Sequence, residues 1–331
     1  MSLPIERRRL LGAVLGLPTA ALPFAVRAAD PFPVPGKPIR IIVGYPAGGG
    51  TDLQARQMAQ LLSPIIGAPV IVENRPGAGT MLAATEVAKS TPDGHTLLYT
   101  PAATLAQLPH TLSAVRYDTF KDFTPVAQAA LGPSVLVLHK SVPATSVREL
   151  VAYAKAKPGE LNYVSQGMGT SAHIYGEVFA KQAGIQMVHV PYKGAADVSK
   201  DFIAGRVHLQ FASSSAAVAL AKSGEIRMLA VVAPKRSALF PDLPTMGESG
   251  FNGVDIESWL GFLGPAGIDP KTTARLSQAI GQVMSNARLR EDFRTGGVEP
   301  KFLGPEEFSA AVKDSYHLWA RNLQQVGYRK E

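Results

Sequence analysis

Ile39-Arg40-Ile41-Ile42-Val43-Gly44-Tyr45-Pro46-Ala47-Gly48-Gly49-Gly50-Thr51-Asp52 constrains the fold more than any other stretch of the chain. Its first half is an apolar run of mostly β-branched residues bounded by Pro38 and Gly44, the pattern of a buried strand. A turn with Pro46 and three successive glycines follows. Then Leu53, Ala55, Met58, Ala59, Leu61, Leu62 and Ile65 recur at helical spacing. Strand, glycine turn and helix, in that order, open a βαβ unit.

The geometry carries a chemistry. The first amides of a helix have no intrahelical partner and sit at the positive end of its dipole. Glycines let a ligand approach the backbone and permit positive φ. Such a turn suits a carboxylate or a phosphate. It equally serves as a plain strand-to-helix connection, with Thr51 or Asp52 as the cap. It is not a P-loop, because no Gly-Lys-Ser/Thr follows, and it lacks the dinucleotide spacing G-x-G-x-x-G.

The alternation continues. Val70 to Glu73 reads as a second strand, Asn74-Arg75-Pro76-Gly77-Ala78-Gly79-Thr80 as a second glycine-bearing turn, and 81–89 as a helix. Thr96 to Thr100 is a third strand, ending in Pro101-Ala102-Ala103-Thr104. Three strands alternating with helices predict a parallel sheet, whose ligands sit beyond the carboxyl ends of the strands. Residues 105–125 read as surface structure anchored by Tyr117, Phe120 and Phe123. Val126 to His139, interrupted by Gly132-Pro133, reads as a strand crossing into a second domain.

There the pattern restarts. Ser146 caps a helix to Lys155. Leu161 to Ser165 is a strand leading into Gln166-Gly167-Met168-Gly169-Thr170-Ser171 and a helix to Ala183. Gln186 to Val190, Val207 to Phe211 and Ile226 to Val232 are further strands. Pro191-Tyr192-Lys193-Gly194 and Ser213-Ser214-Ser215 open the intervening helices. Val254 to Leu263 crosses back, and 272–286, 287–295 and 305–326 are helices. The last carries Phe308, Val312, Tyr316, Trp319 and Leu323 as a packing stripe. Two α/β lobes joined by two crossing segments, 37–131 plus 260–331 and 132–259, imply a cleft between them, a preferred place for ligands.

Length and composition fit this division. A chain of 331 residues that is 46% apolar can bury two cores. Arg7, Arg8 and Arg9, the short apolar stretch Leu10 to Phe24, and Val26-Arg27-Ala28 have the form of an export signal cut after Ala28, with a twin-arginine character. Its removal takes away four arginines and Glu6. The remaining 29 basic and 25 acidic residues leave a net charge of +4 rather than +7. No Lys/Arg run then points to nucleic acid, and no other apolar run is long enough to cross a membrane.

Catalytic signatures are sparse. Cysteine is absent, which removes thiolate nucleophiles, disulfides and Cys-ligated metals. There is no H-E-x-x-H and no G-x-S-x-G. His173 and Glu177 lie one helical turn apart, but two groups at that spacing do not make a metal site. Ser213, Ser214 and Ser215 suit helix capping or polar ligand contacts better than nucleophilic attack. Lys193 either attracts an anion, acts as a base or is simply solvated. Tyr192 either lines the cleft or packs beneath the turn. His173 either contacts ligand or packs locally.

In combination these stretches resemble a known family. Tyr45-Pro46-Ala47-Gly48-Gly49-Gly50-Thr51-Asp52, Val72-Glu73-Asn74-Arg75-Pro76-Gly77-Ala78-Gly79, Pro92-Asp93-Gly94-His95-Thr96-Leu97-Leu98 and Lys121-Asp122-Phe123-Thr124-Pro125-Val126 occur in the order found there. So do Gly169-Thr170-Ser171-Ala172-His173, Val188-His189-Val190-Pro191-Tyr192-Lys193-Gly194 and Leu243-Pro244-Thr245-Met246-Gly247-Glu248-Ser249-Gly250. The family is the tripartite tricarboxylate transporter receptors, the Bug-type periplasmic solute-binding proteins. The similarity covers essentially the whole chain after residue 28.

The resemblance implies a two-lobed α/β binding protein of the type 2, Venus-flytrap kind, each lobe with a mostly parallel sheet. It implies a periplasmic monomer without cofactor or metal that catalyses nothing and captures a small organic carboxylate. The ligand passes to the membrane subunits of a tripartite transporter or to a sensor protein. In such proteins the carboxylate is held by backbone amides and bridging waters near the glycine turns. Carried over by position, the contacts are Ala47, Gly48, Gly49 and Thr51, with Tyr45 and Asp52 beside them. Ser165, Gly167, Gly169, Thr170 and His173 follow in the second lobe, then Tyr192, Lys193 and Gly194, with Ala102, Thr104 and Ser213 as further candidates. Two departures bear on specificity. Ala212-Ser213-Ser214 stands where many members carry an acid or amide, which disfavours an amino-acid ligand. Pro101-Ala102-Ala103 replaces a hydroxyl-rich turn, which favours a less polar acid, aromatic acids included. The alternative is an α/β enzyme acting on a carboxylate or phosphate ester in the same cleft.

Overall fold

The structure is a computed structural model that describes residues 32–192, 195–252, 256 and 258–330. The expected export signal, Lys193 and Gly194 lie outside the described residues. In chain order, β1 (Ile39–Val43) leads through the first glycine turn into α1 (Gly50–Ile66), and β2 (Val70–Asn74) into α2 (Met81–Ala88). β3 (Thr96–Pro101) leads into a π-helical turn, Ala103–Gln107, and the short α3 (Leu108–Thr111). β4 (Phe123–Leu131) and β5 (Ser134–His139) follow end to end. Next come α4 (Val147–Ala156), β6 (Asn162–Ser165), α5 (Ser171–Ala183), β7 (Val188–Pro191), α6 (Ala195–Ile203), β8 (Leu209–Ser213), α7 (Ser214–Ala221) and β9 (Ile226–Val232). β10 (Trp259–Pro265), α8 (Pro270–Met284), α9 (Ala287–Thr295), β11 (Glu299–Leu303) and α10 (Pro305–Val326) complete the described elements.

The strands form two sheets, ordered β11-β4-β10-β3-β1-β2 and β7-β6-β8-β5-β9. The expected parallel core is present in each: β1 pairs in parallel with β2 and β3, and β6 with β7 and β8. Each sheet is nevertheless mixed rather than mostly parallel. The crossing strands run the other way: β10 is antiparallel to β3 and β4, and β5 is antiparallel to β8 and β9. A strand that passes directly from one sheet to the next has no crossover helix to reverse its course, so it enters antiparallel. β11 also joins β4 antiparallel. Its sequence, Glu-Pro-Lys-Phe-Leu, is too polar to announce a strand.

Side-chain alternation places the first sheet between two layers. Ile39, Ile41 and Val43 enter one core, with α1 and α8, while Ile42 enters the opposite core, with α2 and α10. All four are fully buried, each contributing about 1.5–3 kcal/mol of transfer free energy. The chain crosses between sheets at Gly132-Pro133, where the Gly132 amide donates to Ser258 O at 2.8 Å and the Ser214 amide donates to Pro133 O at 2.9 Å. The outgoing and returning crossings are thus stitched together.

The stripe on α10 packs inward as expected, with Tyr316 half-buried, but it serves both halves of the molecule. Phe308 and Val312 pack in the core of the first sheet with Trp259, and Trp319 and Leu323 pack with α5 in the core of the second. Residues 105–112 correct an expectation. They are not surface structure: Leu105, Ala106, Gln107 and Thr111 are fully buried, because Ala106 packs into the second core beside Trp319. Of the three expected anchors, Tyr117 and Phe123 are buried and stack edge to face at 5.5 Å. Phe120 is 49% exposed and leans on Tyr316 and His317.

Candidate functional site

The turns after β1, β2, β3, β6 and β8 lie at the carboxyl ends of their strands, and the first and last meet across the lobes. A methyl at Gly50 would lie 3.4 Å from Ser215 Cβ. This sets the amino terminus of α1 opposite that of α7.

In the first turn, Gly48 adopts φ +82°, which a glycine tolerates without cost. Its amide donates to Asp52 Oδ2 at 2.8 Å. Arg56 Nε donates to the same oxygen at 3.0 Å, and Asn74 Nδ2 donates to Asp52 Oδ1 at 2.9 Å and to Tyr45 O. Burial alone would raise the Asp52 pKa. The bonds from Arg56, Gly48 and Asn74 and the charge of Arg56 outweigh it and hold the carboxyl below its ordinary value. Asp52 is 1% exposed and is spent on shaping the turn. Tyr45 packs against the first core, and burial pushes its hydroxyl up to about 12. Ala47, Gly48, Gly49 and Gly50 are exposed, and Thr51 is half-buried.

Beneath the third turn lies a chain of buried hydroxyls. Thr104 Oγ1 is 2.6 Å from Thr80 Oγ1 and 2.5 Å from Thr100 Oγ1. Tyr117 donates to Thr104 O. Ala102 and Thr104 are themselves buried, so they form the floor of this turn.

The second lobe's glycine turn rests on a stack of rings. Tyr163 and His189 lie 4.8 Å apart and His189 and His173 4.2 Å apart, both pairs nearly parallel. Ser165 Oγ is 2.7 Å from His189 Nε2, donates to Gly167 O and accepts the Gly167 amide. Thr170 Oγ1 also donates to Gly167 O. The Gly169 amide donates to His173 Nδ1 at 3.1 Å, with Gly169 at φ +69°. Burial, and then the neighbouring His173, pull the His189 pKa down to about 4, so that ring is neutral at pH 7. Tyr192 donates to Asp201 Oδ2 at 2.8 Å. Ser213 is exposed and caps α7, accepting the Ala216 amide at 3.3 Å. His173 Nε2 is 4.0 Å from Glu177 Oε1, and among the described residues no group of three or more His, Asp or Glu is placed to hold a metal.

The helices differ in how they begin. α4, α8 and α9 are capped by the side chains of Ser146, Asp269 and Asn286. α1 at Gly49 and α5 at Thr170 begin with no side-chain cap bond, as do α2 at Thr80 and α10 at Gly304. Their first amides are left to solvent or ligand. Ser214 Oγ, buried at the start of α7, has no hydrogen-bond partner among the described residues. Sequence patterns passed over the supports: Asn74, Arg56, Gln107, Tyr163 and His189. Asn74 and His189 sit inside motifs quoted above, but only the fold shows that they brace the turns.

Two mixed sheets joined by paired crossings, with the start of α1 set against that of α7, define a two-lobed solute-binding fold. The family model described as tripartite tricarboxylate transporter family receptor matches residues 54–328, and the chain belongs to that family. It is 33% identical over 321 residues to Protein BugT of Bordetella pertussis, covering 96% of this chain and 98% of that one. Among solved structures it is similar to Rpa4515 of R. palustris with adipate, at 32% identity and TM-score 0.82, over 90% of this chain and 99% of that one. It is similar to the periplasmic binding protein BugD at 28% identity and TM-score 0.79, over 90% and 100%. It is similar to MatC of Rhodopseudomonas palustris with bound malate at 25% identity and TM-score 0.77, over 87% and 99%. Among the described residues no helix is long and apolar enough to cross a membrane.

Proposed function

We propose that this protein is an exported periplasmic receptor that captures a small dicarboxylate between its lobes and catalyses nothing. The observation that carries the reading is the pair of uncapped helix starts, α1 at Gly49 and α5 at Thr170, at turns whose side chains are already engaged. An anion there gains unpartnered amides and two helix dipoles. In this reading Ala47, Thr51 and Thr170 supply the contacts, directly or through water, and Gly48, Gly49, Gly167 and Gly169, whose amides already have partners within the turns, shape the backbone around them. Ser213, at the start of α7, is a further candidate contact. Tyr45, Asp52, Ala102, Thr104, Ser165, His173 and Tyr192 brace the turns.

Adipate and malate, bound by two structural neighbours, set the ligand class. The buried alanine of Pro101-Ala102-Ala103 and the exposed Leu53, Leu82 and Met168 beside the turns favour an acid with an apolar middle, such as adipate. A ligand touching both lobes favours the closed arrangement, which is the signal read by a membrane transporter or a sensor. The protein acts as a monomer after loss of residues 1–28. A thermal-stability screen of residues 29–331 against dicarboxylates, tricarboxylates, acidic amino acids and aromatic acids tests this. A dicarboxylate recovered unchanged should give the largest shift. Conversion to product would favour an enzyme, and an acidic amino acid as tightest ligand would sink the specificity argument.

A further inference from the structure

One buried side chain ties the lobes together at the second glycine turn. Gln107 ends the π-helical turn that follows Pro101-Ala102 and is fully buried. Its Nε2 donates to Gly169 O at 2.6 Å, and its Oε1 accepts from Ser171 Oγ. Both ends of one amide are therefore spent on the two residues flanking Thr170, the uncapped start of α5. The Gly169 amide is held from the other side by His173 Nδ1. The backbone there is also tightly packed: a methyl at Gly169 would lie 3.2 Å from Leu112 Cδ2 and 3.4 Å from Thr111 Cβ.

We infer that Gln107 is a positioning residue that fixes the first turn of α5 relative to the first lobe. It also links the turn after β3 to the turn after β6. It touches no ligand. Its consequence for affinity rests on the proposed function; its effect on the turn does not. Only an amide meets both demands at this place. An apolar residue leaves the Gly169 carbonyl and the Ser171 hydroxyl unpartnered in a buried site. A carboxylate cannot donate to that carbonyl, and it sets a fixed negative charge behind the turn at which the proposed ligand anion would bind. π-helical turns are uncommon and recur at functional positions.

The test compares wild type with Gln107→Leu, Gln107→Glu and the milder Ser171→Ala, which removes one partner and serves if the first two fail to fold. Amide hydrogen exchange on unliganded protein is read over residues 166–174, with 39–66 as the internal reference. Adipate affinity is read by calorimetry. Exchange over 166–174 should rise at least about tenfold in both Gln107 variants and less in Ser171→Ala, with the reference unchanged. Adipate should bind about tenfold more weakly to Gln107→Leu and more weakly still to Gln107→Glu. Unchanged exchange over 166–174, or an equal rise over 39–66, overturns the inference. If wild type itself fails to bind adipate, the ligand proposal falls while the exchange result still decides the role of Gln107.

Discussion

The Gly48 amide donates to the Asp52 carboxylate at 2.8 Å, so the acid nearest the first glycine turn braces the backbone of that turn. Asp52 sits four residues along the chain, in the first turn of α1, and is joined there by Arg56 and Asn74. The negative charge stays local, paired and buried.

Replacing Asp52 with Ala should cost about 1.5–3 kcal/mol, the range for a buried, charged hydrogen-bonding group, measured by urea unfolding. Asp52→Asn should cost less, and its pH dependence has a definite sign. The folded carboxyl titrates below its ordinary value, so its contribution is complete above the unfolded pKa of about 3.9 and is lost as pH falls through the lower folded value. The stability gap between wild type and Asp52→Asn should be flat from pH 8 to 5 and close below about pH 4.

His189 predicts a second, separate window. It is a base whose folded pKa is drawn down to about 4 by burial and by His173. The groups facing it are Tyr163, His173 and Ser165, with Glu177 acting more weakly in the opposite direction. Between about pH 6.5 and 4 the unfolded chain binds the proton that the folded one refuses, so stability falls as pH falls. His189→Gln should flatten the stability profile over that window, measured by thermal unfolding in matched buffers.

Gly176 predicts how the ring stack depends on close approach. A methyl there would lie 2.2 Å from Tyr163 Cε2, and Tyr163 is buried beneath His189. Gly176→Ala should destabilise by about 1–3 kcal/mol, as overpacking of a core does. It should also weaken ligand binding through the displaced stack. Denaturation and calorimetry on the same variant read both effects.

Ser213→Asp tests specificity with little cost to the fold. Aspartate caps a helix as well as serine does, and Ser213 is an exposed cap. Stability should therefore hold within about 0.5 kcal/mol. In the proposed site, a fixed negative charge at position 213 should weaken adipate binding about tenfold or more.

Much of the fold was legible because burial imposes periodicity. Ile39, Ile41 and Ile42 mark a strand covered on both faces, and Ser146 marks a helix start. The antiparallel course of β10 and β4 was not legible, since an apolar run carries no direction. Residues 105–112 read as surface because the helix that covers them, α10, lies about 200 residues further along the chain. At the site, the glycine turns were visible from local sequence. Their supports were not: Asn74 to Asp52, His189 to Ser165 and Gln107 to Gly169 join residues 22, 24 and 62 positions apart, and only the folded chain brings them together.

The central claim, that the glycine turns bind a small dicarboxylate without altering it, is met most directly by calorimetric titration of residues 29–331 with adipate, followed by mass spectrometry of the recovered ligand. A saturable one-to-one isotherm with adipate recovered intact, and a melting temperature that climbs with adipate concentration as native-state binding requires, is the predicted result. No heat and no stabilisation at millimolar adipate, or recovery of a converted product, would contradict it.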